Sequence, residues 1–103
     1  MGNPNIKHMV IFNLKHEVGS AGAERFLKES REVLATIPVV QNFEVLRQIS
    51  VKNDYDYGFS MEFSSLADYD LYNNHPLHVE YVQERWNAEV ECFLEIDFQE
   101  IQV

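Results

Sequence analysis

Apolar and polar residues alternate over residues 6–15. Ile6, His8, Val10, Phe12 and Leu14 share one face, and Met9 and Ile11 lie on the other. The pattern predicts a strand with partly apolar residues on both sides, and so a sheet covered on both sides. Over residues 21–37 the period changes. Ser20 is placed to cap a helix in which Phe26, Leu27, Ser30, Val33, Leu34 and Ile37 recur at helical spacing, and Pro38 stops it. Ser30 is the one polar residue on that apolar stripe. Alternation returns over 40–50 (Phe43, Val45, Arg47, Ile49) and 55–63 (Tyr55, Tyr57, Phe59, Met61, Phe63). Lys52-Asn53-Asp54 between them has the chemistry of a short hairpin turn. Ser64-Ser65 offers a cap for a short helix over 66–73, with Leu66, Tyr69 and Tyr72 turned inward. Pro76 opens a second helical piece reaching about residue 90, with Val79, Val82, Trp86 and Val90 as core contacts. Residues 92–102 read as the last strand, with Leu94, Ile96 and Phe98 on one face and Phe93, Glu95 and Asp97 on the other.

The predicted order is β-α-β-β-α-β, an α+β chain with the split, ferredoxin-like arrangement. Right-handed crossovers put both helices on one face of a four-stranded antiparallel sheet. The other face then presents apolar side chains with no helix over them. A large apolar patch is rare on a soluble monomer, and the economical cover is a second copy of the same sheet about a two-fold axis. The expectation is one domain over residues 1–103, with no repeat, linker or low-complexity segment.

Composition narrows the partners. The chain is 46% hydrophobic and carries a formal charge of −9, with no basic patch. That argues against nucleic-acid phosphate and against an anionic membrane surface. No apolar run approaches the roughly 20 residues needed to cross a bilayer. The start shows no signal-peptide pattern, and Ile6 occupies the position where a myristoylation signal needs Ser or Thr. One cysteine, Cys92, rules out an intrachain disulfide and suggests a reducing, cytoplasmic setting. At a strand start, Cys92 reads as an inert small hydrophobe.

The chemistry concentrates at Tyr72-Asn73-Asn74-His75-Pro76-Leu77-His78. Pro76 suits the first turn of a helix, so His75 falls at the N-cap and His78 one turn inside. An imidazole beside a phenol is a plausible general base, with Tyr72 orienting the ring or hydrogen-bonding a developing oxyanion. A structural reading stands beside it and outweighs it on spacing alone: His75 caps, and His78 and Tyr72 bond to the backbone. A metal site at His75 and His78 would need further ligands, and none is marked. His16, next to Glu17, reads as solvated surface. His8 is a polar residue on an apolar strand face and could reach a pocket shared with Tyr72 and His78. Glu95 could lie near His8, although a solvent-facing Glu95 at the sheet edge is the favoured alternative. Phe12, Phe26, Phe59, Phe63, Tyr69, Tyr81 and Trp86 either form core or line an apolar cavity. Phosphate loops, CxxC pairs and serine-nucleophile elbows are missing.

Three stretches carry a resemblance: residues 6–15 (IKHMVIFNLK), residues 52–57 (KNDYDY) and His75-Pro76-Leu77-His78-Val79, with Asp97-Phe98 near the end. Over nearly all of residues 6–99 the chain resembles the stress-responsive A/B barrel (Dabb) domain family. The resemblance implies ferredoxin-like protomers paired into a dimeric α/β barrel. It does not imply one activity. In a plant polyketide cyclase of the family, a Tyr and a His close a poly-β-ketone by an aldol step without a cofactor. Those two residues match Tyr72 and His78, and a His lining that pocket matches His8. A pocket Tyr of the cyclase falls on Ser30, small pocket residues become Phe59 and Met61, and a Gly becomes Val82. A narrower cavity is implied.

The sequence therefore supports a homodimer pairing through its sheet faces, with no cofactor and no metal. Its first functional expectation is a lyase or cyclase acting on a small apolar carbonyl ligand. His78 would be the base, Tyr72 its companion, and His8, Phe12, Phe26, Ser30, Phe59, Met61, Tyr81 and Trp86 would contact substrate. A non-catalytic small-ligand-binding or stress-associated protein is the alternative, and a cofactor-free monooxygenase has less support.

Overall fold

A computed structural model describes residues 5–103; the segment read above against a lipidation signal, residues 1–4, lies outside the described residues. The elements are β1 (Ile6–Leu14), α1 (Ala21–Leu34), β2 (Gln41–Arg47), β3 (Tyr57–Phe63), α2 (Leu66–Asn74), α3 (Pro76–Tyr81) and β4 (Val90–Gln99). Between α3 and β4 the helix runs on through a π turn, Val82–Trp86, and a last helical stretch, Asn87–Glu89. The four strands make one antiparallel sheet in the order β2-β3-β1-β4. This is the expected ferredoxin-like arrangement.

Capping chemistry sets the helix starts. Ser20 Oγ accepts from the Ala23 N–H, and Ser65 Oγ from the Asp68 N–H, each relieving an unpaired donor of the first turn. His75 does the same for α3: its Nδ1 accepts from the Leu77 N–H at 3.1 Å, with Pro76 at the first helical position. α1 ends at Leu34, three residues before the predicted end. The Thr36 hydroxyl and N–H both bond the Val33 carbonyl there, and the residue before Pro38 is steered out of the α region.

The last strand runs Val90–Gln99 rather than 92–102, so Val90 belongs to it and not to the helix, and two other boundaries differ from the predicted ones. β2 and β3 are shorter, and residues 48–56 form a loop rather than a tight hairpin turn. That loop makes its own bonds: Gln48 Nε2 donates to the Tyr55 carbonyl, and Asp56 N–H donates to Asn13 Oδ1 on β1. The second difference is the π turn, which no periodicity of three to four residues announces. A salt-bridged network holds it. Arg85 donates through Nε to Glu89 (2.8 Å) and through a terminal guanidinium nitrogen to Glu29 of α1 (2.7 Å). His16, read above as solvated surface, bonds Glu89 at 2.8 Å and closes this network. Gly22 makes room for it, since a Cβ there would stand 2.5 Å from His16 Nδ1.

The core lies between the helices and the inner sheet face. Phe12 is fully buried, with ring centroids 4.7 Å from Phe59, 5.0 Å from Trp86, 5.7 Å from Tyr57 and 6.1 Å from Phe26. On the outer face, β1 and β4 set Met9 opposite Ile96, Ile11 opposite Leu94 and Lys7 opposite Phe98. Leu94, Ile96 and Phe98 are exposed there. Cys92 is exposed as well. Among the described residues, no helix is long and apolar enough to cross a membrane.

Candidate functional site

A cavity of about 230 Å³ opens between the inner sheet face and the helices at the β1–β4 side. β4 is the edge strand and the helices do not close over it, so Phe93 and Glu95 form an open wall. β1 and β3 supply the floor with His8, Val10, Phe59 and Met61. Leu34, Tyr72, Asn73, His78, Tyr81, Val82, Trp86 and Asn87 come from the helical layer. No lysine or arginine is among them.

The proline-marked segment places its residues through two helix ends. Tyr72 lies in the last turn of α2 and His78 in the first turn of α3, and the bend at His75 folds one back on the other. Their ring centroids are 4.3 Å apart, tilted by 44°. His78 Nδ1 lies 3.2 Å from the Asn73 carbonyl oxygen, which can only accept. Nδ1 therefore carries the proton, and Nε2 of the neutral ring is left with its lone pair. Burial lowers the His78 pKa; the bond to Asn73 opposes this in part, and nearby His8 adds to the lowering. Burial thus favours the neutral imidazole of His78 over the charged form. Tyr72 is 3% exposed, and burial foremost pushes its phenol above the ordinary tyrosine range. It stays protonated and able to donate.

Neither the Tyr72 hydroxyl nor His78 Nε2 has a protein hydrogen-bond partner among the described residues. Yet no sealed side-chain nitrogen or oxygen among those residues lacks a partner. Both atoms are therefore open to the cavity or to solvent.

His8 reaches the same cavity, 6.2 Å from Tyr72 by ring centroid. Its partner is not Glu95. The strand register sets His8 opposite Asp97 and Val10 opposite Glu95. His8 Nδ1 bonds Asp97 Oδ1 at 2.6 Å. The Tyr69 hydroxyl donates to the same carboxylate at 3.0 and 3.1 Å, and its ring stacks on Phe63. The sequence reading gives Asp97 no site role and offers Tyr69 only as core or as a cavity-lining aromatic. The alternation that places Asp97 on the inner face was the available signal; the register that aims it at His8 was not.

Three residues expected at the ligand lie elsewhere. Phe12 and Phe26 are fully buried behind the wall, where they support Phe59 and Trp86. Ser30 is also sealed in, with Oγ 2.6 Å from the Tyr81 hydroxyl, so it holds a lining residue rather than lining the cavity. Phe59, Met61, Tyr81 and Trp86 do face the cavity and leave it open. Among the described residues, no three His, Cys, Asp or Glu side chains gather as a metal-ligand set. His75 and His78 have committed Nδ1 to Leu77 and Asn73 respectively.

The family model for the stress responsive A/B barrel domain matches residues 6–100. The chain belongs to this family. A solved relative, a Dabb family protein with a ferredoxin-like fold from Mesorhizobium loti, is 49% identical; the alignment covers 96% of this chain and 99% of that one, with a TM-score of 0.94. Two more distant structures share the A/B barrel protomer fold. A dimeric protein of unknown function from Bacteroides fragilis is 23% identical, with 93% and 96% covered and a TM-score of 0.70. The hydroxynitrile lyase from Passiflora edulis is 12% identical, with 98% and 97% covered and a TM-score of 0.82. At those identities the likeness is one of fold alone. No curated protein matches the chain.

Proposed function

We propose that this A/B barrel domain protein is a cofactor-independent lyase or cyclase acting on a small neutral carbonyl compound. The observation that supports it best is that Tyr72 and His78 line one apolar cavity with their rings in contact, and that the Tyr72 hydroxyl and His78 Nε2 have no protein partner among the described residues. A neutral imidazole can take a proton from the carbon next to a carbonyl, and a protonated phenol can hydrogen-bond the enolate oxygen. The lining favours a neutral ligand: Glu95 repels anions and no lysine or arginine is there to hold one. At about 230 Å³, the space lies below the roughly 300–1,000 Å³ of sites for drug-sized ligands.

A binding-only role draws on one observation: Tyr72 and His78 pack ring against ring without a mutual hydrogen bond. A titration followed by amide NMR tests the ligand class that both readings share. Acetophenone should shift the amides of Tyr72, His78 and Trp86 and benzoate should not. Shifts confined to other regions, or tighter binding of benzoate, would contradict the assignment.

The protein works as a homodimer on this reading, with Met9, Ile11, Leu94, Ile96 and Phe98 of the outer face against their copies. Three structural relatives, from Bacteroides fragilis, Thermobifida fusca and Jannaschia, are themselves described as dimeric. Sedimentation equilibrium should return twice the 12.1 kDa of the chain. Ile96→Asp would bury an unpaired carboxylate at that contact and should yield monomer. A monomeric wild type, or an unaffected variant, would count against the sheet-to-sheet dimer.

A further inference from the structure

We propose that His8 is a second proton-transfer residue of this site, positioned by Asp97 and Tyr69, and that it serves the substrate oxygen while His78 serves the carbon. The substrate class is then a neutral β-hydroxy carbonyl compound or the pair of carbonyls from which it forms. The inference rests on the carbonyl reading above and adds a division of labour to it.

The geometry of His8 differs from that of a core histidine satisfied at both nitrogens. Nδ1 lies 2.6 Å from Asp97 Oδ1, and the Tyr69 hydroxyl, 3.0 Å from the same nitrogen, donates to both oxygens of that carboxylate. Burial, then the bond to Asp97, raises the Tyr69 pKa, so the phenol remains a donor and the carboxylate an acceptor. His8 Nδ1–H therefore donates to the Asp97 carboxylate and keeps its proton, which leaves Nε2 as the working atom. That atom has no hydrogen-bond partner among the described residues and is not sealed. His8 lines the cavity with Tyr72 and His78. A carboxylate behind an imidazole both fixes the tautomer and balances the charge that appears when Nε2 gains a proton. His78 has only a neutral carbonyl behind it, at Asn73. Both rings line one cavity, each with an unsealed Nε2 that has no protein partner among the described residues, and they differ in the group behind Nδ1.

In the condensing direction, His78 Nε2 takes a proton from the α-carbon. The C–H pair becomes the enolate, whose oxygen Tyr72 hydrogen-bonds. The enolate carbon bonds to the second carbonyl carbon, and the π pair of that carbonyl moves onto its oxygen. This oxygen takes the proton from Nε2 of protonated His8. His78 then loses a proton to solvent and His8 regains one. Cleavage is the same path reversed.

The probe is the β-hydroxy ketone formed from acetone and benzaldehyde, followed by NMR in D2O. Deuteration at its α-carbon reads His78, and cleavage to acetone and benzaldehyde reads both imidazoles. His8→Gln and Asp97→Ala should lower cleavage about 100-fold, within the usual range for general acid–base catalysis, and deuteration by no more than about threefold. Asp97→Glu should recover part of the cleavage. Equal loss of the two rates, or no loss, would overturn the role of His8. Deuteration by the wild-type protein without any cleavage would overturn that role alone, whereas absence of both reactions would overturn the carbonyl reading and the proposal with it. Long-range proton–nitrogen spectra test the tautomer without turnover: His8 should carry its proton on Nδ1 in the wild type and lose that preference in Asp97→Ala. A proton on Nε2 in the neutral wild-type ring would overturn the proposal.

Discussion

His78→Gln is expected to slow α-proton exchange of a bound neutral ketone by about 10²–10⁴, the usual contribution of a positioned general base. Glutamine keeps a donor for the Asn73 carbonyl, so the first turn of α3 keeps its contact while the basic nitrogen is lost. Tyr72→Phe should cost less, about 10–100-fold, because it removes one hydrogen bond to the enolate and leaves the base in place. Rates followed by proton NMR at saturating ketone check both. If His78→Gln loses stability with unchanged exchange, the imidazole is structural and the base lies elsewhere.

The second large effect is on folding. Phe12→Ala should destabilise the protein by about 3–5 kcal/mol, the range for removing a fully buried phenyl ring from a core that cannot collapse around the gap. Phe12 is 0% exposed and packs against Phe26, Tyr57, Phe59 and Trp86 at once, so no single neighbour can fill the space. Urea unfolding at a fixed protein concentration measures it, the concentration being held constant because association would contribute. A loss below about 1 kcal/mol would mean that the aromatic cluster is loosely packed, against the burial of Phe12. Phe59 and Trp86 also wall the cavity, so the same variant should weaken ketone binding.

The residues most readable in the sequence are those governed by local chemistry. The alternation of Ile6, His8, Val10, Phe12 and Leu14, the Ser20 cap and the His75-Pro76 helix start all act within a few residues of themselves, and each stands where the pattern puts it. What depended on tertiary register was not readable. His8 meets Asp97 rather than Glu95 because β1 and β4 pair in one register, and shifting that pairing would change the partner without changing either strand's pattern. The π turn at Val82–Trp86 is held by Arg85 and Glu89 of one helical run together with Glu29 and His16, which come from two distant places in the chain. Ser30 stood out correctly as a polar residue on an apolar stripe. Its partner, the Tyr81 hydroxyl, lies 51 residues away, and this contact turns it from a ligand contact into a support for the wall.

The central claim is that a neutral His78 imidazole, kept so by burial, acts as a base inside the cavity. The pH dependence of α-deuteration by the wild-type protein tests it most directly. His78 has its pKa lowered from 6.5, so the rate should rise with pH through one ionisation below 6.5 and then level off. The His78→Gln protein should show no such rise. Deuteration no faster than in protein-free buffer, or a wild-type profile that the substitution leaves unchanged, would contradict the account.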